Sequence, residues 1–78
     1  MQQKINSIVK ICNDGNFVAI DETEESLKIQ SQSNLYTYLK KENIEDLFMY
    51  DNNNINIYMK TGGFIFINLK ERLMISQL

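Results

Sequence analysis

Apolar and polar residues alternate along most of this chain, and a period of two is the signature of strands that bury one face. In the first segment, KINSIVKICNDGNFVAIDE, two β-branched runs flank Asp14-Gly15. Asp-Gly favours a type I′ turn, which needs positive φ at both central residues, so the segment reads as a hairpin. With those two residues as the loop, Ile11 meets Val18 and Val9 meets Ile20 on one face, while Lys10 and Ala19 share the other. Asp21 to Ser26 (DETEES) is a charged connection, and Leu27 to Gln32 (LKIQSQ) alternates again as a third strand.

Residues 33–50 admit two readings. As a helix capped by Ser33, Leu35 and Leu39 would share a face, as would Ile44, Leu47 and Phe48. As strands, LYTYLK sets Leu35, Thr37 and Leu39 against Tyr36 and Tyr38, KEN forms a corner, and IEDLFMYD makes the next strand. Tyr, Thr and Phe favour strands, and the two leucine clusters do not join into one helical stripe, so strands are preferred. Asp51 to Asn54 is turn-prone, because Asn and Asp bond their own main chain.

NINIYMK and GFIFINL form the last hairpin. With Thr61-Gly62-Gly63 as its loop, Ile55 faces Leu69, Ile57 faces Ile67 and Met59 faces Ile65. The opposite face then pairs Asn56 with Asn68, Tyr58 with Phe66 and Lys60 with Phe64. The tail ERLMISQL reads as a short helix with Leu69, Leu73 and Met74 inward, one more strand being the alternative. The expected fold is mainly β with a minor helical part. It is a single small antiparallel sheet or meander of about five to six strands, with one short C-terminal helix, in one domain over residues 1–78.

From Leu35 to Leu78 the layout is a strand, an ENI corner at 42–44, a strand, an NxIxIxxKTGG hairpin at 53–63 and an amphipathic tail. In pattern this resembles small flagellar-operon proteins of the FlbD type and the front half of LytTR-type DNA-binding domains. The residues that carry the likeness, Asn43, Ile44, Ile55, Ile57, Gly62 and Gly63, are turn and core residues. The resemblance therefore implies strands in this stretch. The asparagine-proline corner of the first group is absent, and so is the basic C-terminal segment of the second.

Composition narrows the chemistry. A chain of 78 residues buries only roughly 60–65% of its unfolded surface, so small domains usually need a staple. Cys12 is the sole cysteine and there is no histidine, which removes disulfides and the usual zinc ligand sets. A partner subunit is the staple left, so a homodimer is expected. The lone cysteine, the absence of a signal-peptide pattern and the lack of a long apolar run suggest a soluble cytoplasmic protein with no membrane partner. The net charge of −2 argues against direct nucleic-acid binding, which needs clustered Lys and Arg. Abundant Asn, Ile and Lys suggest an AT-rich bacterial or phage source.

Thr61-Gly62-Gly63 is no phosphate loop: the glycines are adjacent, and Phe64 stands where a P-loop would continue to its lysine. Nucleophilic catalysis by Cys12 or a serine lacks a histidine base, so Cys12, opposite Phe17 across the expected hairpin, reads as a small hydrophobe. No catalytic residue, metal or cofactor is expected. The candidate partner-binding residues are Tyr36, Tyr38, Tyr58, Lys60, Phe64 and Phe66, an aromatic set opposite the aliphatic face, and Tyr and Phe are enriched in interface cores. Asp21, Glu22, Glu24 and Glu25 form a candidate acidic surface, either plain solubility or a mimic of nucleic-acid phosphate. The sequence thus points to a non-enzymatic module that binds another protein, such as a phage or mobile-element inhibitor of a host defence protein. A nucleotide- or signal-molecule-binding protein and a subunit of a larger assembly are the alternatives.

Overall fold

The computed structural model describes residues 1–15, 18–31 and 36–78. It is mainly β, but it has two antiparallel sheets and an N-terminal helix, which corrects the expected single sheet with a C-terminal helix. The helix α1 spans Gln2–Asp14. The first sheet holds β1 (Val18–Glu22), β2 (Ser26–Ser31) and β3 (Tyr36–Lys40) in that order. A 3-10 turn at Lys41–Asn43 leads into the second sheet, of β4 (Ile44–Met49), β5 (Asn54–Met59), β6 (Phe64–Asn68) and β7 (Leu73–Gln77). The strands preferred over a helix in residues 33–50 are present as β3 and β4.

The first hairpin of the sequence reading is therefore a helix followed by a strand. Ile5, Ile8 and Cys12 are its buried residues, and Val9 packs against the same core. Their 5, 8, 9, 12 spacing is the stripe of a 3.6-residue period. Alternation through Val9, Lys10 and Ile11 mimics a strand over a few residues, but Ile11 ends on the exposed side. Asp14-Gly15 stops the helix instead of turning a hairpin, and the Gly15 N–H donates to the Asn13 carbonyl. The expected pairing of Cys12 with Phe17, and the Ser33 cap, fall outside the described residues.

The helix belongs where it is because it closes a seam. Its packing partners are β1 and β4, an outer strand of each sheet. Asn13 shows how: its Nδ2 donates to the Ile20 carbonyl at 3.0 Å and its Oδ1 accepts from the Ile20 N–H at 2.8 Å. One carboxamide thus replaces the neighbouring peptide that the edge strand lacks. The inner faces of both sheets, with the helix stripe, form one buried cluster that includes Ile20, Ile29, Leu39, Leu47, Ile57 and Ile67.

The β5–β6 hairpin keeps the expected faces but not the expected register. Ile55 faces Ile67 and Ile57 faces Ile65, while Tyr58 faces Phe64 and Asn56 faces Phe66. Its loop is Lys60-Thr61-Gly62, closed by Met59 N–H to the Gly63 carbonyl at 2.8 Å and Gly62 N–H to the Met59 carbonyl at 2.9 Å. Gly62, at φ 97°, takes the left-handed position that three-residue loops need. Gly63 serves close approach: a Cβ there would sit 2.7 Å from the Gln77 carbonyl oxygen on β7. The slip of two residues leaves the side chains of β5 and β6 on their predicted faces and moves Lys60 into the loop.

The C-terminal segment is a strand and not a helix. Asn68 Oδ1 accepts from the Glu71 N–H at 2.8 Å and Arg72 adopts φ 58°, which turns the chain so that Leu73–Gln77 pairs back on β6. Leu69 and Met74 are buried as expected, but Leu73 is exposed.

Replacing Asn13 with Ala is expected to lower stability by about 1–2 kcal/mol, read as a lower urea midpoint at unchanged m, because both edge groups of Ile20 lose their partner. Gly63→Ala is expected to cost about 1–3 kcal/mol by pushing β7 away from the β5–β6 turn.

Candidate protein-interaction surface

The second sheet buries one face in the core and turns the other outward. Registration of its strands sets the outward residues in rows: Asp46, Tyr58, Phe64 and Gln77, then Phe48, Asn56, Phe66 and Ile75. Around one corner three rings meet. Phe48 and Tyr58 lie 5.5 Å apart between centroids, and Phe48 and Tyr50 lie 5.9 Å apart at 71°, an edge-on arrangement. The Tyr50 and Tyr58 hydroxyls are 3.0 Å apart, and Asn56 Nδ2 donates to the Tyr58 hydroxyl at 3.0 Å. The hydrogen bond with Tyr58 raises the Tyr50 phenol above its ordinary value. Asn56 Oδ1, flanked across the strands by Phe48 and Phe66, is buried with no hydrogen-bond partner among the described residues.

The edge of this patch is tied down electrostatically. Lys4 of α1 bonds Asp46 at 2.9 Å and lies 5.8 Å from the Phe48 ring centre, within cation–π range. Lys4 first, and then the Leu47 N–H, hold the Asp46 carboxyl below its usual range. The patch thus presents rings, amides and aliphatics with its one carboxylate already paired.

The structure sorts the six residues expected to bind a partner. Tyr58, Phe64 and Phe66 share the outer face of the second sheet, half-buried among one another. Tyr58 is opposite Phe64, not Phe66. Lys60 is in the loop instead of facing Phe64, with its N–H bonded to the Asn43 carbonyl. Tyr36 and Tyr38 belong to the other sheet, 62% and 63% exposed, so they do not extend the patch. Lys28 lies 5.4 Å from the Tyr36 ring centre, and the Tyr38 hydroxyl accepts from Ser26 Oγ at 3.1 Å. The sequence reading missed Phe48 and Tyr50 as surface residues. Their signal is weak, because a register shift between Ile44 and Asp46 breaks the alternation of β4.

The acidic set is not a uniform row. Glu22 bonds Lys41 at 2.6 Å and also takes a hydrogen bond from Gln2, and the Lys41 bond chiefly lowers its pKa. Thr23 Oγ1 accepts from the Ser26 N–H, a local turn that leaves Glu24 and Glu25 in solvent. Nearby is a cleft of about 470 Å³, whose lining includes Glu24, Glu25, Glu42, Tyr38, Lys40 and Lys41. Three carboxylates beside two lysines make it a poor phosphate site.

Cys12 is fully buried, and burial pushes its thiol up to about 11. One Ser-x-x-Lys spacing is present, Ser7 and Lys10. Both residues stand on the exposed side of α1, where Ser7 Oγ donates to the Gln3 carbonyl at 3.1 Å, so the hydroxyl is engaged as in any solvated helix. Among the described residues no helix is long and apolar enough to cross a membrane.

No protein-family model matches the chain, and no curated protein or solved structure matches it either.

Two tests follow from these environments. Cys12 is expected to stay unreactive toward an aromatic disulfide reagent at pH 8 in the native protein and to react fully in denaturant, because thiolate is the reactive form. Asp51 Oδ1 accepts from the Asn53 and Asn54 N–H groups, and these bonds hold its pKa below the ordinary 3.8. A lowered folded pKa means that its stabilisation is present above about pH 4 and disappears as pH falls through the folded value. The stability gap between wild type and Asp51→Ala should therefore be seen at pH 7 by thermal melting and narrow as pH falls below the ordinary 3.8.

Proposed function

We propose that the chain is a non-enzymatic interaction module that binds another protein through the outer face of its second sheet. The observation that carries this reading is the ring cluster of Phe48, Tyr50 and Tyr58, continued by Phe64, Phe66 and Ile75 on one sheet face. Apolar side chains there are only part-covered by one another: Phe48 is 38% and Ile75 42% exposed. A solvent-facing antiparallel sheet normally alternates to polar residues on its outer side. Aromatic residues in a patch with little free charge are the composition of an interface core. The buried, unpaired Asn56 oxygen adds a cost of about 1–3 kcal/mol, which a face selected for stability alone has no reason to carry. A module with one such face acts by occupancy, blocking or tethering what it covers. Inhibition of a host protein by a phage or mobile element is the setting that the composition suggests.

The reading is tested with affinity-tagged wild type, Phe48→Ala and Tyr58→Ala in the native host. One host protein should co-purify with wild type and be lost, by at least tenfold, with each variant, while circular dichroism and melting show both variants folded. Retention of the partner by both variants, or unfolding of both, would show the rings to be scaffold and overturn the reading.

A further inference from the structure

A sheet edge is a row of unpaired backbone donors and acceptors, and natural domains either guard or use it. Three of the four edges here carry a guard. On β1, Asn13 takes both groups of Ile20. On β4, the register is broken between Ile44 and Asp46, Asp46 Oδ1 takes the Leu47 N–H, and Lys4 sits alongside. On β3, the strand ends in the charged pair Lys40-Lys41. The fourth edge, β7, has among the described residues no such device on its backbone; its contact with β3 is the Thr37–Ser76 hydroxyl pair at 3.3 Å. Its sequence, LMISQ, contains no charge and no proline, and its register with β6 is unbroken. Among the described residues its backbone pairs with β6 alone.

The hydrogen-bond phase identifies which groups are open. Antiparallel pairs alternate between those that exchange bonds and those that do not. The Met59–Gly63 bond puts Ile57–Ile65 and Ile55–Ile67 in the first class. Phe64, Phe66 and Asn68 then turn their backbone toward β7, where Gln77, Ile75 and Leu73 answer them. Among the described residues, Met74 and Ser76 are left to present N–H and C=O groups to the open side.

We propose that two copies of the chain pair along β7, antiparallel, about a two-fold axis at Ile75. Met74 of each copy then lies opposite Ser76 of the other and exchanges both backbone bonds with it. Every open group on this strand is used. Sliding the pairing by two residues either way would leave Met74 or Ser76 without its counterpart. On the outer face Ile75 meets its own symmetry mate and Leu73 meets Gln77, so no charge is brought against a like charge. Any extended peptide could use the backbone groups, but this strand is self-complementary about Ile75, and a small domain gains most from an isologous partner. The axis is perpendicular to the sheet, so both outer faces lie on one side and the two ring clusters become parts of one surface. The pairing goes beyond the proposed binding of another protein and does not require it.

The full chain is examined by sedimentation equilibrium and by amide hydrogen exchange across a range of micromolar concentrations. The expected mass is twice the 9.2 kDa of the chain. Amides of Met74 and Ser76 should become protected as the dimer forms, by about tenfold or more, while those of Ile75 and Gln77 stay protected throughout. Ile75→Cys should oxidise to a disulfide dimer, because pairs that do not exchange bonds bring Cα atoms to about 4.5 Å; wild type, with only buried Cys12, should not. Ile75→Lys should give a folded monomer. A wild-type monomer at the highest concentration overturns the proposal, and so does a dimer in which Met74 and Ser76 exchange freely. The exchange measurement needs no variant, so unfolding of Ile75→Lys would not blunt the test. Loss of the host partner in Phe48→Ala with the dimer intact separates this contact from the outer-face one.

Discussion

The rest of the molecule depends on how one short helix joins two small sheets. A three-stranded and a four-stranded sheet each have an apolar face that must be buried against another layer. Their inner faces meet in a shared isoleucine-rich core, and α1 supplies Ile5, Ile8 and Cys12 to it while covering the side where β1 and β4 face open space. The contact at Asn13 makes that closure specific. Apolar packing alone would let the helix slide along the seam, whereas a carboxamide bonded to both groups of Ile20 has one position. At the opposite corner the Thr37 and Ser76 hydroxyls lie 3.3 Å apart, a much lighter tie between β3 and β7. One flank of the domain is therefore covered by a whole element, whereas at the other a hydroxyl contact leaves the backbone edge of β7 open.

Strand identity was legible in the sequence wherever alternation ran uninterrupted. Thr37 and Leu39 point inward and Tyr36 and Tyr38 outward, and Ile55, Ile57, Ile65 and Ile67 are all buried. Facing survives a register error of two residues, so the outward placement of Tyr58, Phe64 and Phe66 could be read before their partners could. Register itself was not legible, because two adjacent glycines offer two loops and the deciding contact comes from β7. The helix was hidden for a related reason. Its stripe at 5, 8, 9 and 12 overlaps a short period-2 run, and Gly15 is equally suited to a hairpin turn and a helix stop. What decides is the need to cover the seam, which no local pattern encodes. The tail failed in the opposite direction: Leu69 and Met74 are buried in either state, and only pairing with β6 selects the strand.

The candidate site was half legible for the same physical reason. The rings on β5 and β6 follow from alternation. Phe48 and Tyr50 join them only because the irregularity in β4 rotates the phase of that strand. Tyr36 and Tyr38, grouped with the others by composition, are separated from them by the division into two sheets. The acidic stretch is likewise divided by structure, since Glu22 serves Lys41 and Gln2 at the foot of the helix instead of joining a charged front.

The pairing of Lys4 with Asp46 has a thermodynamic consequence for any contact made by the outer face. With that carboxylate already matched inside the chain, the patch has little field of its own to steer or repel a visitor. Complex formation there would draw on removal of apolar surface from water, and its marker would be a negative heat-capacity change. Moderate salt would change the affinity little, because screening acts on exposed charges and these are already satisfied in the free protein. Association would be slow compared with electrostatically guided pairs, and persistence would rest on the rate of release.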